Sequence, residues 1–162
     1  MTSPIYVHIH ISMTVASKSK PTMPTISCAC ANLRRAARSI TRLYNHELRP
    51  ENIEVTQFTL LMALDRTGEI SQGKLGRLVG LDSTTLTRML KPLNQQGWIE
   101  EREGNDRRVR IIRLTAAGRA KLQHGLPHWK RAQARIEDAL GEPSMKKLEA
   151  LLARVEAASK NK

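Results

Sequence analysis

The chain has 162 residues, with 27 Lys+Arg against 15 Asp+Glu, a formal net charge of +12 and a pI near 10.4. That length suits one domain whose core can form without a metal or disulfide staple, and the charge makes a polyanion, most commonly nucleic acid, the expected partner. No apolar run approaches the ~18 residues of a membrane span, and the amino terminus lacks the pattern of a secretory leader, so a cytoplasmic protein without membrane association is expected.

Residues 1–27, MTSPIYVHIHISMTVASKSKPTMPTIS, contain three prolines and many Ser and Thr, and the alternation of Ile5, Val7, Ile9 and Ile11 has no nearby strand to pair with. A flexible extension is expected, with Met13 and Met23 as alternative translation starts. From about Ala31, Leu33, Ala36, Ala37, Ile40, Leu43, Tyr44 and Leu48 recur at helical spacing while Arg34, Arg35, Arg38 and Arg42 take the other positions. Pro50 stops this first helix. Thr56 is the expected N-cap of a second helix carrying Phe58, Leu61, Met62 and Leu64, with Gly68 as its stop. Ser71 is expected to cap a short third helix that buries Leu75, Leu78 and Val79 and ends at Gly80.

A fourth helix follows almost at once. With Asp82 as N-cap, Leu81 and Leu86 fall at the two positions of a hydrophobic staple. Two short helices around a tight glycine turn make a helix-turn-helix. Leu86, Leu90 and Leu93 form the apolar face of the second one. At about 100° per residue, Thr84, Arg88, Lys91 and Gln95 point away from it, with Thr87 on the flank and Ser83 and Thr85 in the first turn. Hydroxyls, an amide and cations suit a major groove, because Arg can bridge guanine, Gln can pair with adenine, and Thr offers a methyl and a hydroxyl. The competing reading is an ordinary solvated face.

After Gly97, WIEERE and VRIIRL read as two β-strands around GNDRR. The charged tip then projects beside the helix-turn-helix as a wing. Phosphates and a narrow minor groove both attract arginine, so Arg107 and Arg108 would extend the footprint into flanking DNA; a merely solvated turn is the alternative.

DRRVRIIRLTAAG resembles the wing and following helix start of the MarR family of transcriptional regulators. TQFTLLMAL, SQGKLGRLVGLDSTTLTRMLKPLNQQGWIE and the Asp-x-Arg wing of Asp106 and Arg108 occur in that family's order, and the resemblance covers roughly residues 28 to 157. It implies a mainly α fold with a small β-hairpin wing: a winged helix-turn-helix at 53–115, with dimerisation helices at 28–50 and 116–162. It also implies a homodimer on a near-palindromic double-stranded DNA operator. Helix 83 to 96 would read the major groove and Arg108 the minor groove, while Asp106 would orient the wing arginine or pair with Arg88. Relatives of this kind are often repressors released by a small phenolic or lipophilic effector, and others respond through oxidised cysteines.

The resemblance has one departure, Pro92 inside the recognition helix. Proline cannot donate to the Arg88 carbonyl and clashes with it, so a kink is expected there, which leaves the directions of Lys91 and Gln95 open. Two further apolar stripes support dimerisation independently: Leu122, Leu126, Trp129, Ala132, Ala134, Ile136 and Leu140, then Met145, Leu148, Leu151, Leu152 and Val155. The competing reading is packing within one subunit. Gly125 and Pro127 are expected to bend the long helix that begins after Thr115.

Cys28 and Cys30 stand too close for an unstrained bridge with each other. They read either as small apolar residues filling the subunit interface or as a redox switch linking the subunits. His8, His10, His46, His124 and His128 form no metal spacing with them, and no phosphate loop or nucleophile elbow is present, so neither an enzyme nor a cofactor is expected. The remaining rivals are a sequence-neutral nucleoid or RNA-binding protein using the same basic wing, and a winged-helix protein-interaction module.

Overall fold

A computed structural model describes residues 28–160; the expectations for residues 1–27 lie outside these. Six helices and a three-stranded antiparallel sheet follow in the order α1 (Ala29–Leu48), a 3₁₀ turn (Arg49–Glu51), α2 (Val55–Thr67), β1 (Ile70–Ser71), α3 (Gln72–Val79), α4 (Ser83–Gln95), β2 (Ile99–Glu103), β3 (Arg110–Leu114), α5 (Ala116–Leu140) and α6 (Glu142–Lys160). The fold is mainly α with a small wing, a winged helix-turn-helix flanked by long amino- and carboxy-terminal helices. Among the described residues, no helix is long and apolar enough to cross a membrane.

One core holds the lobe together. Phe58, Leu60, Leu61 and Leu64 of α2 meet Leu75 of α3, Leu86, Leu90 and Leu93 of α4, and Ile99, Ile112 and Leu114 of the sheet. Leu48 and Leu122 close it from α1 and α5, all of these side chains being buried. Burying a side chain of this size contributes ~1.5–3 kcal/mol, so this cluster fixes the angle between α3 and α4. Leu78 departs from expectation, being 57% exposed. The inward positions of α3 are Leu75, Gly76 and Val79, and Leu78 falls about 100° off their centre.

Two details at helix starts differ from the sequence reading. The N-cap of α2 is Glu54, not Thr56, in a capping box in which Glu54 accepts from the backbone of Gln57 and the Gln57 side chain accepts from the Glu54 N–H. Ser71 stands at the N-cap of α3 without a side-chain capping bond, and its backbone also pairs as a strand. That strand, β1, was not legible in the sequence: it adds an edge to the expected hairpin, with Ile70 opposite Ile112 and Ser71 opposite Ile111.

The terminal helices pack partly within the subunit. Tyr44 and Leu48 of α1 are buried, as are Leu122, Gly125 and Ala132 of α5. At their junction the Tyr44 hydroxyl donates to Gln133 Oε1 and its ring lies 6.4 Å from that of Trp129. Burial, aided by the nearby Glu137 carboxylate, pushes the Tyr44 phenol up from its ordinary pKa. Glu47 crosses the same junction to Arg131 and Arg135 of α5, at 3.3 and 3.1 Å. Desolvation opposes its ionisation, but the two guanidiniums outweigh that and hold the carboxyl below the usual range. Leu33, Ile40, Leu140, Leu151, Leu152 and Val155 remain exposed on the single chain.

Candidate nucleic-acid interface

Helix α4 starts at the expected cap. Asp82 Oδ1 accepts from the Thr85 N–H at 2.9 Å and Oδ2 from the Thr85 hydroxyl at 2.7 Å. Donation by that hydroxyl, then by the backbone N–H, keeps the Asp82 carboxyl below its ordinary pKa. Leu81 packs against the core that contains Leu86, as a staple requires. Helix α4 then runs through Pro92 without ending. It stops at Gly97, whose φ of 67° is left-handed. The Trp98 N–H reaches the Leu93 carbonyl at 3.0 Å and the Gly97 N–H that of Asn94 at 2.9 Å, a Schellman closure that sends the chain directly into β2.

The predicted residues fall into three groups. Ser83, Thr84, Thr87, Arg88 and Lys91 line one open concavity on α4, joined by Asn94 and by Glu101 of β2. Thr85 is half-buried and tied to Asp82, and so serves as part of the cap. Gln95 is exposed at the last residue of the helix and does not line that concavity. Thr87 is exposed, but its hydroxyl already donates to the Ser83 carbonyl and accepts from Gln72 Nε2 at 2.7 Å, which leaves its methyl free.

The wing is an antiparallel hairpin with Ile99 opposite Leu114 and Glu103 opposite Arg110. Its tip is folded by Asp106, whose Oδ1 accepts from the Arg108 backbone N–H at 2.9 Å while its carbonyl accepts from Val109 at 2.8 Å. Asp106 thus holds the backbone of Arg108, and among the described residues it makes no ion pair with Arg88. A carboxylate held two residues before an arginine makes an Asx turn, which stiffens the tip and aims the backbone of Arg108.

Charge pairing separates the arginines of this region. Arg110 pairs with Glu101 at 3.2 Å, Arg102 with Glu69, and Arg113 with both Glu100 and Glu69. The Arg102 hydrogen bond, aided by the charges of Arg102 and Arg113, lowers the Glu69 pKa. By contrast, Arg88, Lys91, Arg107 and Arg108 have no ion-pair partner among the described residues. Their charge remains available.

A second groove, between α3 and the wing, was missed by sequence reasoning. Gln72, Lys74 and Arg77 of α3 face Arg108 and Arg110 across it. The signal was present in the two cations of α3, but a short helix gives too few turns to tell an exposed basic face from scattered surface charge. Cys28 and Cys30, at the start of α1, are both free and exposed. Among the described residues no group of three or more His, Cys, Asp or Glu is placed to hold a metal ion.

Comparison with known proteins places this geometry. Residues 53–109 match the MarR family. The crystal structure of the M. tuberculosis transcriptional regulator MosR in complex with DNA is 34% identical, with a TM-score of 0.74 over 82% of this chain and 98% of that one. A mutant MarR from E. coli complexed with operator DNA is 26% identical, with a TM-score of 0.71 over 78% of this chain and 91% of its own. The multiple antibiotic resistance protein MarR of Salmonella typhimurium is 39% identical over 80 residues, which are 49% of this chain and 56% of that protein. The matched segments span 56% to 66% of the length of such curated relatives. With sequence, cap chemistry, wing and fold in agreement over nearly all of the MosR chain, this chain belongs to the MarR family of winged helix-turn-helix transcriptional regulators.

Proposed function

We propose that the protein regulates transcription by binding a near-palindromic double-stranded operator as a homodimer, with α4 in the major groove and Arg108 in the flanking minor groove. The observation that carries this reading is the division of charge on the lobe: the cations of α4 and the wing tip have no ion-pair partner among the described residues, while the arginines of the sheet are paired with glutamates. Unpaired cations can exchange counterions for phosphates without first breaking an ion pair. Thr84, Arg88 and Lys91 then supply base contacts, with Ser83 and the Thr87 methyl at the helix start and Gln95 at the far end. Arg107, Lys74 and Arg77 add backbone contacts. MosR and MarR were each crystallised with DNA, which favours the same use of this surface here.

Selection of bound sequences from random duplex DNA tests the reading. A palindrome with half-sites about one helical turn apart is expected, held at least ~10³-fold more tightly than random duplex. Binding without sequence preference would instead support a nucleoid or RNA-binding protein, to which a net charge of +12 is equally suited.

Release of the operator is assigned to a small phenolic or lipophilic effector or to oxidation of Cys28 and Cys30. Both thiols are exposed at the head of α1, with Arg34 and Arg35 about one to two turns further on, so peroxide can reach them. Loss of operator binding on mild oxidation in wild type, but not in a Cys28→Ser, Cys30→Ser double variant, supports the thiol route. Equal behaviour of the two proteins assigns release to the effector.

A further inference from the structure

The first acidic residue in the chain is Glu47; the preceding 46 residues contain Lys18, Lys20, Arg34, Arg35, Arg38 and Arg42 and no Asp or Glu. Four of these cations lie on α1, and all four are exposed. At about 100° per residue, Arg34, Arg38, Arg42 and Arg35 fall within an arc of about 100°, and His46 and Arg49, also exposed, extend it only slightly. Leu33, Ile40 and Tyr44 occupy the opposite side, with Leu48 at its edge. Helix α1 therefore presents one continuous basic face.

That face is unneutralised. Arg35 donates to Asn32 Oδ1 and Arg42 to Ser39 Oγ, both neutral acceptors. None of the four arginines has an ion-pair partner among the described residues. Glu47 lies on the apolar side, committed to Arg131 and Arg135. Helix α1 packs on α5 and α2 rather than forming part of the two grooves lined by α3, α4 and the wing. Its apolar side faces the subunit's own interior at Tyr44 and Leu48, and the four arginines are exposed on the chain.

We propose that the arginine face of α1 binds the phosphate backbone of a second segment of duplex DNA, distinct from the one held by α4 and the wing. From Arg34 to Arg42 the helix rises about 12 Å, alongside which a duplex carries about seven phosphate charges. Arginine without lysine matches bidentate phosphate contact. A lipid surface fits less well, because an interfacial helix must insert its apolar side, and that side of α1 is buried at Tyr44 and Leu48. The dimer then joins two DNA segments, one read by sequence and one gripped by charge. The joining, though not the charge-driven contact, rests on the operator-binding reading.

Capture of a labelled random duplex by wild-type protein loaded on an immobilised operator duplex tests the joining. A full-length variant with Arg34, Arg35, Arg38 and Arg42 each replaced by Gln keeps helix propensity, and circular dichroism checks its fold. Wild type should capture the second duplex at about 50 mM salt and release it near 200 mM. The variant should hold the operator within about twofold of wild type yet capture at least tenfold less. Equal capture by both proteins, or none by wild type, overturns the proposal, as does transfer of wild type from DNA to anionic vesicles or to polyglutamate. If wild type does not hold the operator at all, the operator reading fails separately. Direct titration with random duplex then decides the α1 contact: weakening of tenfold or more in the variant supports it, and no change refutes it.

Discussion

Two glycines in α5 stand where an added Cβ would collide with a neighbour. A Cβ on Gly118 would stand 1.9 Å from the Trp98 carbonyl oxygen, and one on Gly125 would stand 2.5 Å from Phe58 Cε2. Gly118 is locked there because Thr115 caps α5, accepting from the Gly118 N–H at 3.0 Å and donating to the Gly97 carbonyl at 2.6 Å. The turn that ends α4 and the start of α5 are thus clasped through one hydroxyl. Gly125→Ala should cost about 1–3 kcal/mol by overpacking the buried Phe58. Gly118→Ala should cost about 3 kcal/mol or more, since the obstructing atom is backbone and cannot turn aside. Urea denaturation of both variants measures the difference, and near-native midpoints would contradict a cost for these close approaches. The sequence offered Gly125 only as a residue expected, with Pro127, to bend the long helix. Its partner Phe58 is 67 residues away, a separation across which periodicity carries no information.

The recognition helix and the wing were legible to different degrees. The cap at Asp82 and the staple residues Leu81 and Leu86 are local signals within a few residues of one another, and both are found in the structure. Strand β1 is too short for alternation to mark it, and it exists only because the β3 edge accepts it. The network that ties it down also spans distant residues, since Glu69 joins Arg102 and Arg113. Glu69 titrates below its ordinary value of 4.5, so its contribution is present above that pH and is lost as pH falls through the lowered value. The stability difference between wild type and Glu69→Gln should accordingly be level above pH 4.5 and disappear in acid; a difference independent of pH would assign the effect to packing. At the wing tip, Asp106→Ala should free the Arg108 backbone and weaken DNA binding several-fold. Asp106→Asn should retain most of the affinity, because an amide oxygen still accepts that hydrogen bond. Equal losses in the two variants would point to charge rather than turn geometry.

At the scale of the whole molecule, apolar surface and basic charge divide the protein between two tasks. Leu151, Leu152 and Val155 of α6 stay 40–47% exposed, with Leu33 and Ile40 of α1 nearby in exposure at 36% and 38%. A second copy is the proposed cover, since closed twofold symmetry sets two reading helices against two half-sites. A Leu151→Arg, Val155→Arg double variant should run as a monomer in light scattering and lose operator binding, although its lobe core is untouched. The packing of α5 on α1 shows why sequence alone left this open: Leu122 and Ala132 serve the subunit's own interior, whereas the apolar residues further along α6 do not. The central claim, that α4 specifies sequence while the wing supplies affinity, is tested most directly by titrating wild type, Arg88→Ala and Arg108→Ala against every single base-pair variant of the selected operator at near-physiological salt. Arg88→Ala should cost about 1–3 kcal/mol and relax preference at one base pair per half-site, while Arg108→Ala should weaken all variants alike. Isotherms unchanged by both substitutions would contradict the assignment of this surface to DNA.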